Sequence, residues 1–398
     1  MPRSIRHCAA VLAALLFSGA PAPAQKQAQH KLPKPDDLNR DVRYARDPAT
    51  GELHLISKGQ GPPTSGAGKD PANRYTFRSQ VTLITAPCSA IASDNTPLRG
   101  LALQDFRAAA DGVPQHLSHL DASTEPAHIA LMLDASPSEA RALDEMKSAV
   151  NALSGELAPE DEVAVVSFAG HAHLLLPFST DRKDLELAID RIDLMRSLDE
   201  TGSNIYEAVY LTALKLFSGP QAPRGRKAII LLTDGQDSGL KLTWDPASMY
   251  PPDRQADYLT FEDMVRQLSA SGVEIFAIST ENRPERMTPA WLGAQRTTTL
   301  ISRQSRQIGV PPYTIYLAEL VRRIGGDLYF LREIGTLSDA YRRIAARLRT
   351  EYVLGFYPTD AEGRAGWHDL SIGFSDPAAH SGAHLDCRPS YYVTASYD

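Results

Sequence analysis

Two near-continuous apolar runs, His128–Leu133 (HIALML) and Lys227–Leu232 (KAIILL), constrain this chain more than anything else in it. A strand with one wet face alternates polar and apolar residues. A strand that is apolar throughout must be covered on both sides, which happens chiefly in parallel sheets flanked by helices. Around these runs, Ser138–Leu157, Arg182–Leu194, Ile205–Phe217, Phe261–Ser271, Tyr316–Ile324 and Leu337–Arg349 carry helical apolar spacing. Val163–Phe168, Leu174–Phe178, Val273–Ser279 and Leu328–Leu331 read as strands, the first two as an antiparallel edge pair across a tight loop. The alternation predicts an α/β fold, a Rossmann-like, mostly parallel central sheet with helices on both faces.

The flanks have a different texture. Tyr75–Ile84 and Cys88–Ala92 are strand-like, and Asp105 to Leu120 reads as strand, Asp111-Gly112 turn and strand. After the α/β block come Tyr352–Tyr357, Trp367–Phe374 and His384–Val393, again strand-like. The N-terminal β stretch is too short to bury a core alone. Residues 75–125 and 351–398 are therefore expected to form one small β-sandwich-like domain flanking the α/β block at 126–350. Residues 25–74, rich in Lys, Pro, Gly, Asp and Gln, are expected to be flexible linker with one short strand at Glu52–Ser57. The Gly66–Lys69 segment imitates a phosphate loop. It fails because Pro63 holds the first glycine position and Asp70 replaces the hydroxyl that would bind magnesium.

Arg3 and Arg6 precede the apolar run Cys8–Phe17, and Ala22-Pro23-Ala24 supplies small residues for cleavage. Residues 1–24 are thus expected to be a signal peptide, the run being too short to cross a bilayer of roughly 30 Å. The expectation is an exported protein, periplasmic or extracellular, without a membrane span. A net charge of −7 with well-mixed signs argues against nucleic-acid partners, which need clustered Lys and Arg. Once Cys8 leaves with the signal, Cys88 and Cys387 remain, as one disulfide or as two buried thiols.

Three motifs fall where strands end or helices begin: Asp134-Ala-Ser136-Pro-Ser138, Gly202-Ser203-Asn204 and Thr233-Asp234-Gly235. Ligands of open parallel sheets bind at the carboxyl ends of strands, and Asp134 and Asp234 both sit there. Carboxylates and hydroxyls are hard donors that suit magnesium, manganese or calcium; with no His or Cys among them, zinc and copper are disfavoured.

In this order and on these elements, the motifs resemble the metal-ion-dependent adhesion site of von Willebrand factor type A domains. The flanks Leu101-x3-Asp105-Phe106-x4-Asp111-Gly112-x-Pro114-Gln115, Tyr352-x-Leu354-Gly355-Phe356-Tyr357-Pro358 and Tyr391-Tyr392 resemble the related family first recognised in Acidobacteria. The resemblance implies that Ser136 and Ser138 would bind one divalent cation directly and that Asp134 and Asp234 would act through water. Ser203 takes the usual threonine's place. Magnesium is the first choice, calcium or manganese the alternatives. An open position would take an Asp or Glu carboxylate from a protein partner.

Ser203 lacks the methyl that restricts a threonine rotamer, and Pro137 and Glu139 replace a Gly and a Met, Glu139 adding charge near the site. The long segment after Asp234 offers Trp244, Tyr250 and Tyr258 as partner contacts. Ser136 lacks a nucleophile elbow, so an enzyme is not expected, and His171 with His173 reads as an exposed hairpin. The leading expectation is a metal-dependent binding module; the alternative is a scaffold component of an envelope assembly with a vestigial metal site.

Overall fold

A computed structural model describes residues 32–47, 53–56, 83–93, 96–121, 126–137, 139, 150, 153–192, 202–237, 258–280, 312–331, 336–348, 351–358, 366–388 and 390–393. Strands β1 (Asp36–Asp37), β2 (Arg43–Arg46) and β3 (Leu53–Ile56) come first. Then follow β4 (Ile84–Ile91), β5 (Phe106–Ala110), β6 (Val113–Gln115) and β7 (Leu117–Asp121). The α/β block runs β8 (Ala127–Asp134), β9 (Glu162–Phe168), β10 (Ala172–Ser179), α1 (Arg182–Asp190), α2 (Ile205–Phe217) and β11 (Arg226–Thr233). It continues through α3 (Phe261–Ser271), β12 (Glu274–Ser279), α4 (Pro312–Ile324), β13 (Gly326–Phe330) and α5 (Leu337–Leu348). Strands β14 (Glu351–Phe356), β15 (Gly366–Phe374), β16 (His384–Cys387) and β17 (Ser390–Val393) come last.

The central sheet has the order β1-β10-β9-β8-β11-β12-β13. Strands β9, β8, β11, β12 and β13 are mutually parallel, while β10 runs antiparallel to β9 and β1 antiparallel to β10. The apolar runs lie at its centre for the expected reason. Side chains alternate across a strand, so Ile129, Leu131 and Leu133 pack on one face with α1 and α5. Ala130 and Met132 pack on the other, with α2, α3 and α4. Both faces are covered, so neither set of alternating positions can be polar. At the start of β13, Gly326 has φ +107°, and a Cβ there would lie 1.9 Å from the Ile275 carbonyl oxygen. Only glycine permits that approach of β13 to β12.

Two four-stranded antiparallel sheets, β16-β4-β14-β7 and β17-β15-β5-β6, stack on a second core. Ile84, Ala86, Tyr352, Leu354 and Phe356 from one sheet meet Phe106, Ala108, Leu370, Phe374 and Tyr391 from the other. Each sheet thus takes strands from both sides of the α/β block. Asp111 and Gly112, with φ +48° and +81°, form the tight turn that joins β5 to β6. Cys88 and Cys387 face each other on β4 and β16 and are joined by a disulfide across 299 residues.

Two expectations need correction. Part of the stretch read as linker is ordered: β1 pairs with the edge strand β10, and Leu32 and Leu38 are buried against the α/β block. Its anchors are polar and distant in sequence, which composition cannot display. Arg46 forks onto both oxygens of Asp263 at 3.0 and 2.7 Å, and the Tyr44 hydroxyl donates to Glu207 at 2.8 Å. The run His384–Val393 is two strands in different sheets, β16 ending at Cys387 and β17 starting at Ser390. The expected strand over 75–82, most of the helix over 138–157 and the expected signal peptide lie outside the described residues.

Candidate metal centre

Strands β8 and β11 are neighbours, yet the chain leaves them toward opposite sides of the sheet. After β8 it builds β9 and β10 on one side; after β11 it builds β12 and β13 on the other. The loops leaving such a pair diverge and open a crevice at the carboxyl edge. Asp134 ends β8 and Thr233 ends β11, one step beyond the Leu133–Leu232 pair in the register.

Asp134 is the centre of a hydrogen-bond cluster. Its Oδ1 accepts from the Ser136 backbone N–H at 3.0 Å. Its Oδ2 accepts from the hydroxyls of Thr233 at 2.7 Å and Ser203 at 3.3 Å. The Thr233 hydroxyl in turn accepts from the Gly235 N–H at 3.0 Å. Asp234 turns its own loop, its Oδ1 accepting from the Gln236 N–H at 2.8 Å and its Oδ2 from the Gln236 side-chain amide at 3.1 Å. None of Asp134, Ser136, Ser203, Thr233 and Asp234 is more than 6% exposed.

Neighbouring segments fix these loops. Asn204 donates through its backbone to Ala169 O at 2.8 Å and through its side chain to Gly170 O at 2.6 Å, tying the Ser203 turn to the β9–β10 hairpin. Asp237 accepts from the Tyr206 N–H at 3.2 Å, which puts a carboxylate at the positive end of α2. The Ala135 N–H donates to Phe168 O at 2.7 Å.

The electrostatics follow from burial. Desolvation holds the Asp134 carboxyl above the ordinary carboxylate range; hydrogen bonds from Ser136 and Thr233 pull it back, and the negative charge of Asp234 pushes it up again. Hydroxyls and amides thus hold both carboxyl groups in place. Among the described residues no three His, Cys, Asp or Glu side chains gather as a metal cluster. The donor set here is instead two carboxylates with three hydroxyls, all hard oxygens, and that set fits a magnesium- or calcium-type cation.

The structure therefore brings Asp134, Ser136, Ser203 and Asp234 to one sheet edge. Ser138, Trp244 and Tyr250 lie outside the described residues. Tyr258 is half-buried just ahead of α3, its carbonyl accepting from Arg46 at 3.1 Å. His171, on the β9–β10 hairpin, is exposed beside Asp37. In the sequence, Thr233 stands out only as part of the Thr233-Asp234-Gly235 motif. Its hydroxyl donates to Asp134 at 2.7 Å, and its place at the end of an otherwise apolar strand was the available signal. Glu139, expected to bring charge near the site, is buried and accepts from the Thr280 hydroxyl at 2.8 Å.

Residues 129–236 match the family model of the von Willebrand factor type A domain. The chain carries a von Willebrand factor type A domain. The matched stretch opens inside β8 and closes two residues after Asp234, so Asp134, Ser136, Ser203, Thr233 and Asp234 all lie within it. A UPF0353 protein of Mycolicibacterium paratuberculosis is 23% identical over 250 residues, covering 61% of this chain and 66% of its own length. This chain thus spans just under two thirds of that relative. Among solved structures, an aerotolerance-related membrane protein from Bacteroides fragilis is 18% identical with a TM-score of 0.38, covering 56% of this chain and 98% of its own. A von Willebrand factor type A protein from Catenulispora acidiphila is 13% identical with a TM-score of 0.38, covering 79% and 64%. Those scores lie below 0.5, and the α/β assignment stands on the sheet topology and the family match.

Proposed function

We propose that this chain is an exported, non-enzymatic binding module that takes a protein ligand through a divalent cation at the β8–β11 crevice. The observation that carries the reading is the buried, oxygen-only donor set that the ends of β8 and β11 gather around Asp134 and Asp234. Ser136, Ser138 and Ser203 would hold the cation, with Asp134 and Asp234 acting through water. Magnesium is the first choice, with calcium or manganese as alternatives. Bound there, the cation would supply an open coordination position for an Asp or Glu carboxylate of the partner.

This chain's own residues do the rest. Thr233 and Ser136 fix the Asp134 carboxylate, and Asn204 fixes the turn that presents Ser203. Trp244, Tyr250 and Tyr258 would supply apolar area for partner contact. The domain bounds that go with this reading are 75–125 and 351–398 for the sandwich and 126–350 for the binding domain. Export rests on residues 1–24, and the Cys88–Cys387 disulfide suits an oxidising compartment. Among the described residues no helix is long and apolar enough to cross a membrane.

Isothermal titration of the mature protein with magnesium should reveal one site, absent in Asp134→Ala protein whose circular dichroism shows it folded. A folded wild type that takes up no divalent cation would sink the reading. Ser203 in the usual threonine's place and the buried Glu139 favour a second reading, a scaffold whose metal site has lapsed. Capture of envelope proteins with and without a chelator separates the two: partners that persist in chelator support the scaffold.

A further inference from the structure

The hydrogen bonds at the carboxyl edge close into a ring that includes a third strand. The Ser136 N–H donates to Asp134, and the Glu139 N–H donates to Ser136 O at 3.1 Å. Glu139 then accepts from the Thr280 hydroxyl at 2.8 Å, and the Thr280 N–H donates to Thr233 O at 3.3 Å. The Thr233 hydroxyl returns to Asp134 at 2.7 Å. Thr280 follows directly on β12, whose last residue, Ser279, pairs with Thr233. One residue therefore grips both metal-edge loops at once, the β8 loop through its hydroxyl and the β11 loop through its N–H.

We infer that the Glu139–Thr280 hydrogen bond is a clasp that positions the metal site, making Glu139 and Thr280 positioning residues for cation binding. The inference rests on the metal-binding reading above. Glu139 is buried and Thr280 partly so, which shields the bond between them from exchange with water. Without the clasp, the bonds described here that still tie the loop carrying Ser136 to the end of β11 run through Asp134. Each loop then has freedom that cation binding must remove, and the affinity falls accordingly. In this account Glu139 acts through its hydrogen bond, and its charge is secondary. The position departs from the methionine of the resemblance because this chain ties the β8 loop to β12 by a polar contact.

The test uses three variants of the mature protein, with magnesium binding measured by titration calorimetry. T280V removes the hydroxyl and keeps the carboxylate; T280S restores the hydroxyl; E139Q removes the charge and keeps an oxygen that accepts from Thr280. The clasp predicts about tenfold weaker magnesium binding in T280V, recovery in T280S, and an E139Q affinity within about threefold of wild type. Hydrogen exchange at the Gly235 amide, measured without metal, should quicken in T280V and slow again in T280S, a readout independent of cation uptake. Wild-type affinity and exchange in T280V, alongside binding lost in Asp134→Ala, would overturn the clasp and leave the metal site standing. A tenfold loss in E139Q with none in T280V would assign the effect to charge and also overturn it. If wild type binds no cation, both readings fall together.

Discussion

The two edges of the seven-stranded sheet both bury carboxylates, and they treat them differently. At the carboxyl edge, Asp134 and Asp234 are surrounded by hydroxyl and amide donors. At the amino edge, Glu274 at the start of β12, Asp327 in β13 and Asp386 in β16 gather around one guanidinium, that of Arg347 near the end of α5. Its Nη1 contacts Asp386 and lies 3.5 Å from Asp327, while the guanidinium sits 5.3 Å from the centre of the Phe276 ring. Burial alone would lower the Arg347 pKa, but the carboxylates of Glu274, Asp386 and Asp327 outweigh it and keep the group charged. A hydroxyl orients a carboxylate and leaves its charge in place; a guanidinium neutralises it. On the proposed reading one edge is left open to a cation from outside, while at the other Arg347 of α5 ties the α/β block to β16 of the sandwich.

If that division is correct, damage to the amino edge lowers stability and spares cation binding, and damage to the carboxyl edge does the reverse. The largest effect belongs to the disulfide. Cys88 and Cys387 tie together two sandwich halves separated by the whole α/β block, and the chain-entropy argument gives about 4–5 kcal/mol for so long a loop. The C88A/C387A double variant should lose a large part of that in denaturant melts. While folded, it should still titrate with magnesium as wild type does. Next comes Arg347→Ala, which strands Asp386 and Asp327 beside the buried Glu274. The cost should be about 3 kcal/mol, the low end for a broken buried pair because Asp327 and Asp386 are partly solvated. Weakened magnesium binding in folded Arg347→Ala protein would break the proposed separation of the edges.

The carboxyl edge is tested by Asp134→Asn. The amide keeps the shape and its oxygen can still accept from the Ser136 N–H, while its NH2 takes the place of the oxygen that accepts from Thr233 and Ser203, and it carries no charge. Cation affinity should fall by about a hundredfold, equivalent to about 2.7 kcal/mol of binding. The melting temperature of the metal-free protein should stay level or rise, since a desolvated carboxylate has been removed. A marked drop in metal-free stability would show that Asp134 is structural in the same sense as Arg347.

How much of this was readable beforehand depends on the range of the interactions. Strands β8 and β11 were legible because their residues are buried on both faces, leaving an unbroken apolar signature. Helices Ile205–Phe217 and Phe261–Ser271 match their predicted limits to the residue. The second is started by the Thr260 capping box and ended by left-handed Gly272. The convergence of Asp134, Ser203 and Asp234 was legible as three motifs at element ends. The bonds among them were not: Thr233 to Asp134 spans 99 positions and Thr280 to Glu139 spans 141. The ordering of 32–47 was hidden for the same reason, because it depends on Arg46 reaching Asp263 across 217 positions. Local periodicity records what a segment buries, whereas polar pairing between distant segments leaves no trace in either one alone.

The finest distinction between the edges is how each responds to acid. Burial raises the Glu274 carboxyl; the positive charge of Arg347 opposes it, Asp386 adds to it and Arg226 opposes it. A carboxyl with a folded pKa above its unfolded one binds protons first in the native state. Its contribution to stability therefore grows as pH falls from neutral toward the unfolded value, near 4.3 for glutamate. E274Q has no such group. The stability of wild type minus that of E274Q, from urea melts in chelator, should thus become more favourable to wild type between pH 7 and pH 5. This is the smallest effect expected here, and its sign is its value. A difference that moves the other way would mean that Arg347 holds Glu274 ionised more firmly than burial opposes it. The amino edge would then be a compensated ion cluster throughout, and the contrast with Asp134 would be sharper still.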